Sequence, residues 1–124
     1  MENRTIKSKL ELEVYLTNNL NYSIISKMDF NEFKEFVLLL FREMNKLKKD
    51  GLEREDVFDF IQNLYNNQMS IVDETDILFE RRFSGITEEL ISFCADPIFW
   101  YTDDFEIYIK KWEGAFEGDW YKVI

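Results

Sequence analysis

The sequence predicts an all-α protein, a single-domain bundle of four to five helices spanning residues 1–124. Three observations predict it. Apolar residues recur at helical spacing through several long segments, most clearly at Phe33, Val37, Leu40, Phe41, Met44 and Leu47. Only one proline and four glycines punctuate 124 residues, and Gly51 and Pro97 fall between the periodic segments. The chain is 46% hydrophobic and 17% aromatic, enough to bury one core without disulfide or metal staples.

The elements follow in order. Ser8 with Glu11 three residues on predicts a capped helix to about Asn18, although Leu10 to Val14 also alternates as a strand would. Asp29 with Glu32 is a second capping box, and the helix it opens runs to about Lys49 and stops at Gly51. Lys46, Lys48 and Lys49 suit the negative end of that helix's dipole. Phe36, Leu38 and Leu39 widen its apolar stripe, which predicts a central position in the bundle. From about Glu53 to Asn67, Val57, Phe58, Ile61, Leu64 and Tyr65 share one face, and a polar loop is expected around Asn66 to Ser70. Asp73 to Ala95 repeats the period with Phe79, Phe83, Ile86, Leu90, Phe93 and Cys94. Asp96-Pro97 ends it, because a residue preceding proline is pushed out of the helical region. Thr102, Asp103 and Asp104 cap a last helix carrying Phe105, Tyr108, Ile109, Trp112 and Phe116.

Charge is unevenly distributed along this framework. Residues 1–49 hold nine Lys/Arg against seven Asp/Glu, and residues 107–124 are balanced at three against three. Residues 50–106 hold only Arg54, Arg81 and Arg82 against fifteen acids, so the whole net charge of −10 arises there. Such a field draws in basic surfaces and repels nucleic acid and anionic membrane. Helix dipoles account for part of each cluster, since Glu55, Asp56, Asp73, Asp76, Asp103 and Asp104 lie at helix starts. They do not account for the scarcity of interleaved bases, which leaves two readings: solubility, or a binding face for a basic partner.

Several function classes are disfavoured. The chain has no histidine, the commonest general base and transition-metal ligand. It has no Gly-rich phosphate loop, metal-ligand spacing or nucleophile elbow. Cys94 sits in an apolar stripe, as small buried hydrophobes do, and acid pairs such as Asp103 with Asp104 or Asp73 with Asp76 read as solvated surface. The expectation is a non-enzymatic protein without metal or cofactor. A lone cysteine favours a reducing compartment, the first residues lack a secretory apolar core, and the longest apolar run, 36–41, is too short to span a membrane. These features predict a soluble cytoplasmic protein. Trp100-Tyr101 and Trp120-Tyr121, beside acids, read either as interface anchors or as rings closing one end of the core.

Three stretches carry a resemblance. Asp56-Val57-Phe58-Asp59-Phe60-Ile61-Gln62-Asn63-Leu64-Tyr65, Asp76-Ile77-Leu78-Phe79-Glu80-Arg81-Arg82-Phe83 and Glu89-Leu90-Ile91-Ser92-Phe93-Cys94-Ala95-Asp96-Pro97 together resemble the colicin D-like immunity proteins, including those of contact-dependent growth inhibition systems. The resemblance covers about residues 50–100 and rests on apolar spacing. It implies a small helical bundle that binds the C-terminal toxin domain of a bacterial effector, a basic nuclease that cleaves RNA, and blocks its active site. Acidic side chains would stand in for RNA phosphates in the toxin's cleft. The implied contacts are Glu55, Asp56, Asp59, Asp73, Asp76 and Asp96, followed by Asp103 and Asp104 outside the matching region. Direct nucleic-acid, membrane and small-molecule binding are not expected. Two alternatives remain open: a DNA-mimic inhibitor of the anti-restriction or anti-CRISPR kind, and a plain adaptor bundle whose acidity only confers solubility.

Overall fold

Asp29 and Glu32 start the central helix by exchanging hydrogen bonds. The Asp29 carboxylate accepts the Glu32 N–H at 2.8 Å, and the Glu32 carboxylate accepts the Asp29 N–H at 3.0 Å. Two amides that helix geometry would orphan are thereby satisfied. The computed structural model describes residues 6–72, 75–91 and 95–122. Among these the chain forms six α-helices: α1 (Lys9–Asn19), α2 (Tyr22–Ile25), α3 (Phe30–Lys49), α4 (Arg54–Ile71), α5 (Ile77–Ile91) and α6 (Phe105–Glu117). A single 3-10 turn, Phe99–Tyr101, precedes α6, and the described residues contain no strand. The all-α class expected from the periodicity is therefore present. The count is six rather than four to five because α2, only one turn long, carries no periodic signal.

The helix boundaries have local causes. Ser8 caps α1 by accepting the Glu11 N–H at 3.2 Å, which decides the ambiguous N-terminal stretch in favour of helix. Glu11 reaches back to the Lys7 N–H instead of closing a full box on Ser8. α3 stops at Gly51, which adopts φ 111°, a left-handed conformation that glycine enters without strain. There the Gly51 N–H bonds the Lys48 carbonyl at 3.1 Å and the Leu52 N–H bonds the Leu47 carbonyl at 2.9 Å, the double closure of a Schellman motif. α4 runs through the stretch where a polar loop was expected, 66–70. Met69 packs against the core, and the Gln68 side-chain oxygen accepts the Tyr22 N–H at 2.8 Å, so tertiary contacts hold that last turn. α5 begins after Asp76, which caps the Phe79 N–H at 3.1 Å, not at Asp73. Asp73, Phe93 and Cys94 lie outside the described residues.

Packing places successive long helices in opposite directions. Tyr65 of α4 stacks on Phe83 of α5 at 5.7 Å, while Arg54 at the start of α4 donates to the Ile91 carbonyl at the end of α5. Phe30 and Phe33 at the start of α3 meet Phe116 near the end of α6, whereas Lys48 at the far end of α3 meets Thr102 just before α6. In the core, the Phe41 ring lies 5.2 Å from Phe99, 5.5 Å from Tyr108 and 5.6 Å from Trp112. All six apolar positions of the expected α3 stripe are buried.

Buried polar groups are satisfied in a chain between α5 and α6. The Trp112 indole N–H donates to the Tyr108 hydroxyl at 3.0 Å, and that hydroxyl donates to Glu89 at 2.7 Å. The second Glu89 oxygen takes the Lys111 ammonium at 2.8 Å. No helix among the described residues is long and apolar enough to cross a membrane.

Candidate functional site

The antiparallel arrangement decides which acids become neighbours. The end of α3, the start of α4, the end of α5 and the start of α6 share one end of the bundle. Glu55, Asp56 and Asp59 stand exposed on the first turns of α4 there, with Asp96, Asp103 and Asp104 exposed on the segment leading into α6. Asp50, Glu53 and Glu106 add three further exposed carboxylates to the same end. Asp76 is not among them. It starts α5 at the opposite end, where it and Asp29 act on the buried Arg82.

The acids differ in how committed they are. Asp56 accepts the Glu53 N–H at 2.8 Å, Asp76 caps Phe79, and Asp104 caps the Glu106 N–H at 2.9 Å. Those three carry a structural load as helix caps. Glu55, Asp59, Asp96 and Asp103 are exposed side chains on the same end.

Three cations at this end, Lys48, Arg54 and Lys111, are turned to the main chain. Lys48 donates to the carbonyls of Phe99 at 2.5 Å and Thr102 at 2.8 Å. Burial lowers its pKa, partly opposed by the nearby charge of Asp103. Lys111 donates to the carbonyls of Ala95 at 2.7 Å and Pro97 at 3.3 Å as well as to Glu89. Arg54 donates to the Ile91 carbonyl and lies over the Phe58 ring at 4.8 Å. Lys46 and Lys49, on the last turn of α3, are exposed, and Lys46 pairs with Glu43 at 2.8 Å. The outermost layer is accordingly richer in carboxylate than the composition of these elements alone suggests.

A cleft of about 400 Å³ opens in this surface, lined by Lys48, Leu52, Glu53, Arg54, Glu55, Trp100 and Tyr101. Both aromatic dipeptides singled out in the sequence divide their roles between neighbours. Trp100 is 7% exposed and donates its indole N–H to the Leu90 carbonyl at 2.8 Å, whereas Tyr101 is 57% exposed beside the cleft. Trp120 is 57% exposed, whereas Tyr121 is 9% exposed and packs on Phe33 and Trp112 at 5.5 and 5.8 Å. One ring of each pair closes the core and the other faces outward.

No protein-family model, curated protein or solved structure matches this chain.

At the opposite end, Arg82 was not foreseen from the sequence. It is 3% exposed, donates to the Tyr121 and Met28 carbonyls at 2.9 Å each, and lies over the Phe33 ring at 4.8 Å. Burial lowers its pKa while Asp29 and Asp76 work in the opposite direction. Its spacing on α5, three residues after Phe79 and four before Ile86, was the available signal. Among the described residues no group of three or more His, Cys, Asp or Glu side chains forms a metal site.

Proposed function

We propose that this chain is a binding protein whose acidic end docks on a basic surface of a partner protein. The observation that carries this reading is the convergence of Glu55, Asp59, Asp96 and Asp103 on one end of the bundle, beside the exposed Tyr101. Steering by such a field accelerates encounter, while an aromatic anchor seated in a pocket slows dissociation. The resemblance to colicin D-like immunity proteins supplies the finer identity: the partner is a nuclease toxin domain, and the acids occupy its RNA-phosphate cleft. Asp76 drops in priority among the contacts, because it caps α5 at the far end.

A DNA mimic would need acids spread over a long continuous surface, and the near-neutral α1–α3 half gives that reading less support. The test is affinity capture of the tagged chain from its native lysate, eluted with a salt gradient, followed by growth protection with the captured protein expressed as a toxin. Salt-sensitive recovery of a basic toxin domain, with protection lost in E55K/D103K, supports the proposal. Recovery of a restriction or CRISPR effector moves the acids to a DNA-mimic role. Protection unaffected by the charge reversals removes the acidic end from the mechanism.

A further inference from the structure

A second cleft, of about 440 Å³, runs along the outer face of α5. Glu80, Ser84 and Glu88 recur every four residues on that face, and Tyr65 of α4, Trp120 of the C-terminal segment and the cation Arg81, which is turned onto the Trp120 ring, also line the cleft. Both carboxylates are exposed. Eight residues of helix set the two positions about 12 Å apart along the axis, too far for a single small cation to touch both. The Trp120 ring is held in place: the Arg81 guanidinium stacks over it at 4.0 Å and donates to the Trp120 carbonyl at 3.4 Å. Gly85 lets the segment lie this close, since a Cβ there would stand 2.3 Å from the Tyr121 hydroxyl. Burial, then the charges of Glu89 and Glu88, raise the Tyr121 pKa, so the negative potential of α5 reaches this wall.

We propose that this cleft binds an extended, basic peptide segment of a partner protein, one cation at each carboxylate and an apolar side chain against Trp120. In an extended chain, residues four apart span about 13 Å, close to the rise between Glu80 and Glu88 along the helix. A helix about 10 Å across and 12 Å long fills roughly 900 Å³ and would stand largely outside the cleft. Nucleic acid is disfavoured by the carboxylates, and a stacked, exposed Trp is a common anchor for peptides. The cleft is separate from the acidic end, so this proposal and the previous one stand or fall independently.

The experiment uses the full chain and a fluorescein-labelled peptide, Ser-Arg-Ser-Leu-Ser-Arg-Ser, followed by fluorescence anisotropy at low salt. Two controls replace both arginines by citrulline or place them side by side. Binding of the spaced peptide is expected to weaken about tenfold in E80Q/E88Q, the sum of two exposed ion pairs, and to persist in E55K/D103K. W120A is expected to weaken it by tenfold or more, about the loss of one anchor ring. Circular dichroism verifies that each variant stays helical. Equal binding of the citrulline or adjacent-arginine peptides overturns the proposal. So does an equal loss in E55K/D103K, which would indicate attraction by net charge alone, or the absence of any anisotropy change.

Discussion

Tyr108 of α6 and Glu89 of α5 meet inside the molecule at 2.7 Å, and the same hydroxyl accepts the Trp112 indole N–H at 3.0 Å. One oxygen therefore satisfies groups on two sides. Removing it in Y108F leaves a buried carboxylate oxygen and a buried indole N–H with a partner lost at once. The expected cost is about 2–3 kcal/mol. Urea unfolding should show a lower midpoint with an unchanged slope.

Gly85 presses against Tyr121, where an added methyl would lie 2.3 Å from the hydroxyl and 3.0 Å from Cζ. Alanine gains about 1 kcal/mol of helix propensity, but the Tyr121 ring is pinned among Phe33, Trp112 and Phe116 and has little room to yield. Overpacking of this kind costs about 1–3 kcal/mol, so G85A should be destabilising on balance. Combining it with Y121F removes the nearest atom. A double-mutant cycle by thermal unfolding should return part of the loss.

The same tyrosine should titrate late. Burial, with help from Glu89 and Glu88, pushes its pKa up to about 12 from an ordinary 10.0. A raised folded pKa means that the unfolded chain loses its proton first as pH rises. The stabilising contribution is thus complete below pH 10.0 and is lost between there and about 12. Stability measured against pH should decline across that window, and the Y121F profile should be flatter there.

Charge reversal at the acidic end separates binding from folding. Glu55 and Asp59 are exposed, whereas Asp56 accepts the Glu53 N–H. E55K/D59K should lower the unfolding free energy by no more than about 1 kcal/mol, through the charge of residue 55 on the α4 dipole, and weaken any salt-sensitive complex. D56K should additionally cost about 1 kcal/mol through the lost cap. Parallel melts and binding isotherms distinguish the two effects.

Local chemistry was legible in the sequence and tertiary neighbourhood was not. The Asp29–Glu32 box, the Gly51 stop and the Asp104 cap depend on residues within a few positions of each other, so their types at those spacings reveal them. The local signal for α2 is one Asn21 cap on Ile24, too short to stand out from a loop. The last turn of α4 depends on Gln68 reaching Tyr22, forty-six residues away. Glu55 and Asp76 look alike in the sequence, each an acid at a helix start. Antiparallel packing sends alternate helix starts to opposite ends, which groups Glu55 with Asp103 and takes Asp76 away. No sequence pattern separates Trp100 from Tyr101 or Trp120 from Tyr121. Which ring turns inward depends on the backbone's path after the preceding helix, and Leu90 and Arg82 supply the polar partners that hold it.

Lys48 and Lys111 hold the carbonyls of Ala95, Pro97, Phe99 and Thr102 from two different helices. A connecting segment clamped at four points has little conformational freedom left to surrender. A partner docking there as proposed would meet Asp96, Tyr101 and Asp103 on backbone already held in place, which lowers the usual entropic penalty of ordering an interface loop. On the proposed reading, the bundle's acidic end would act as a preorganised template. Loosening one clamp, with Lys48→Met for instance, should slow no encounter yet shorten the lifetime of whatever complex forms.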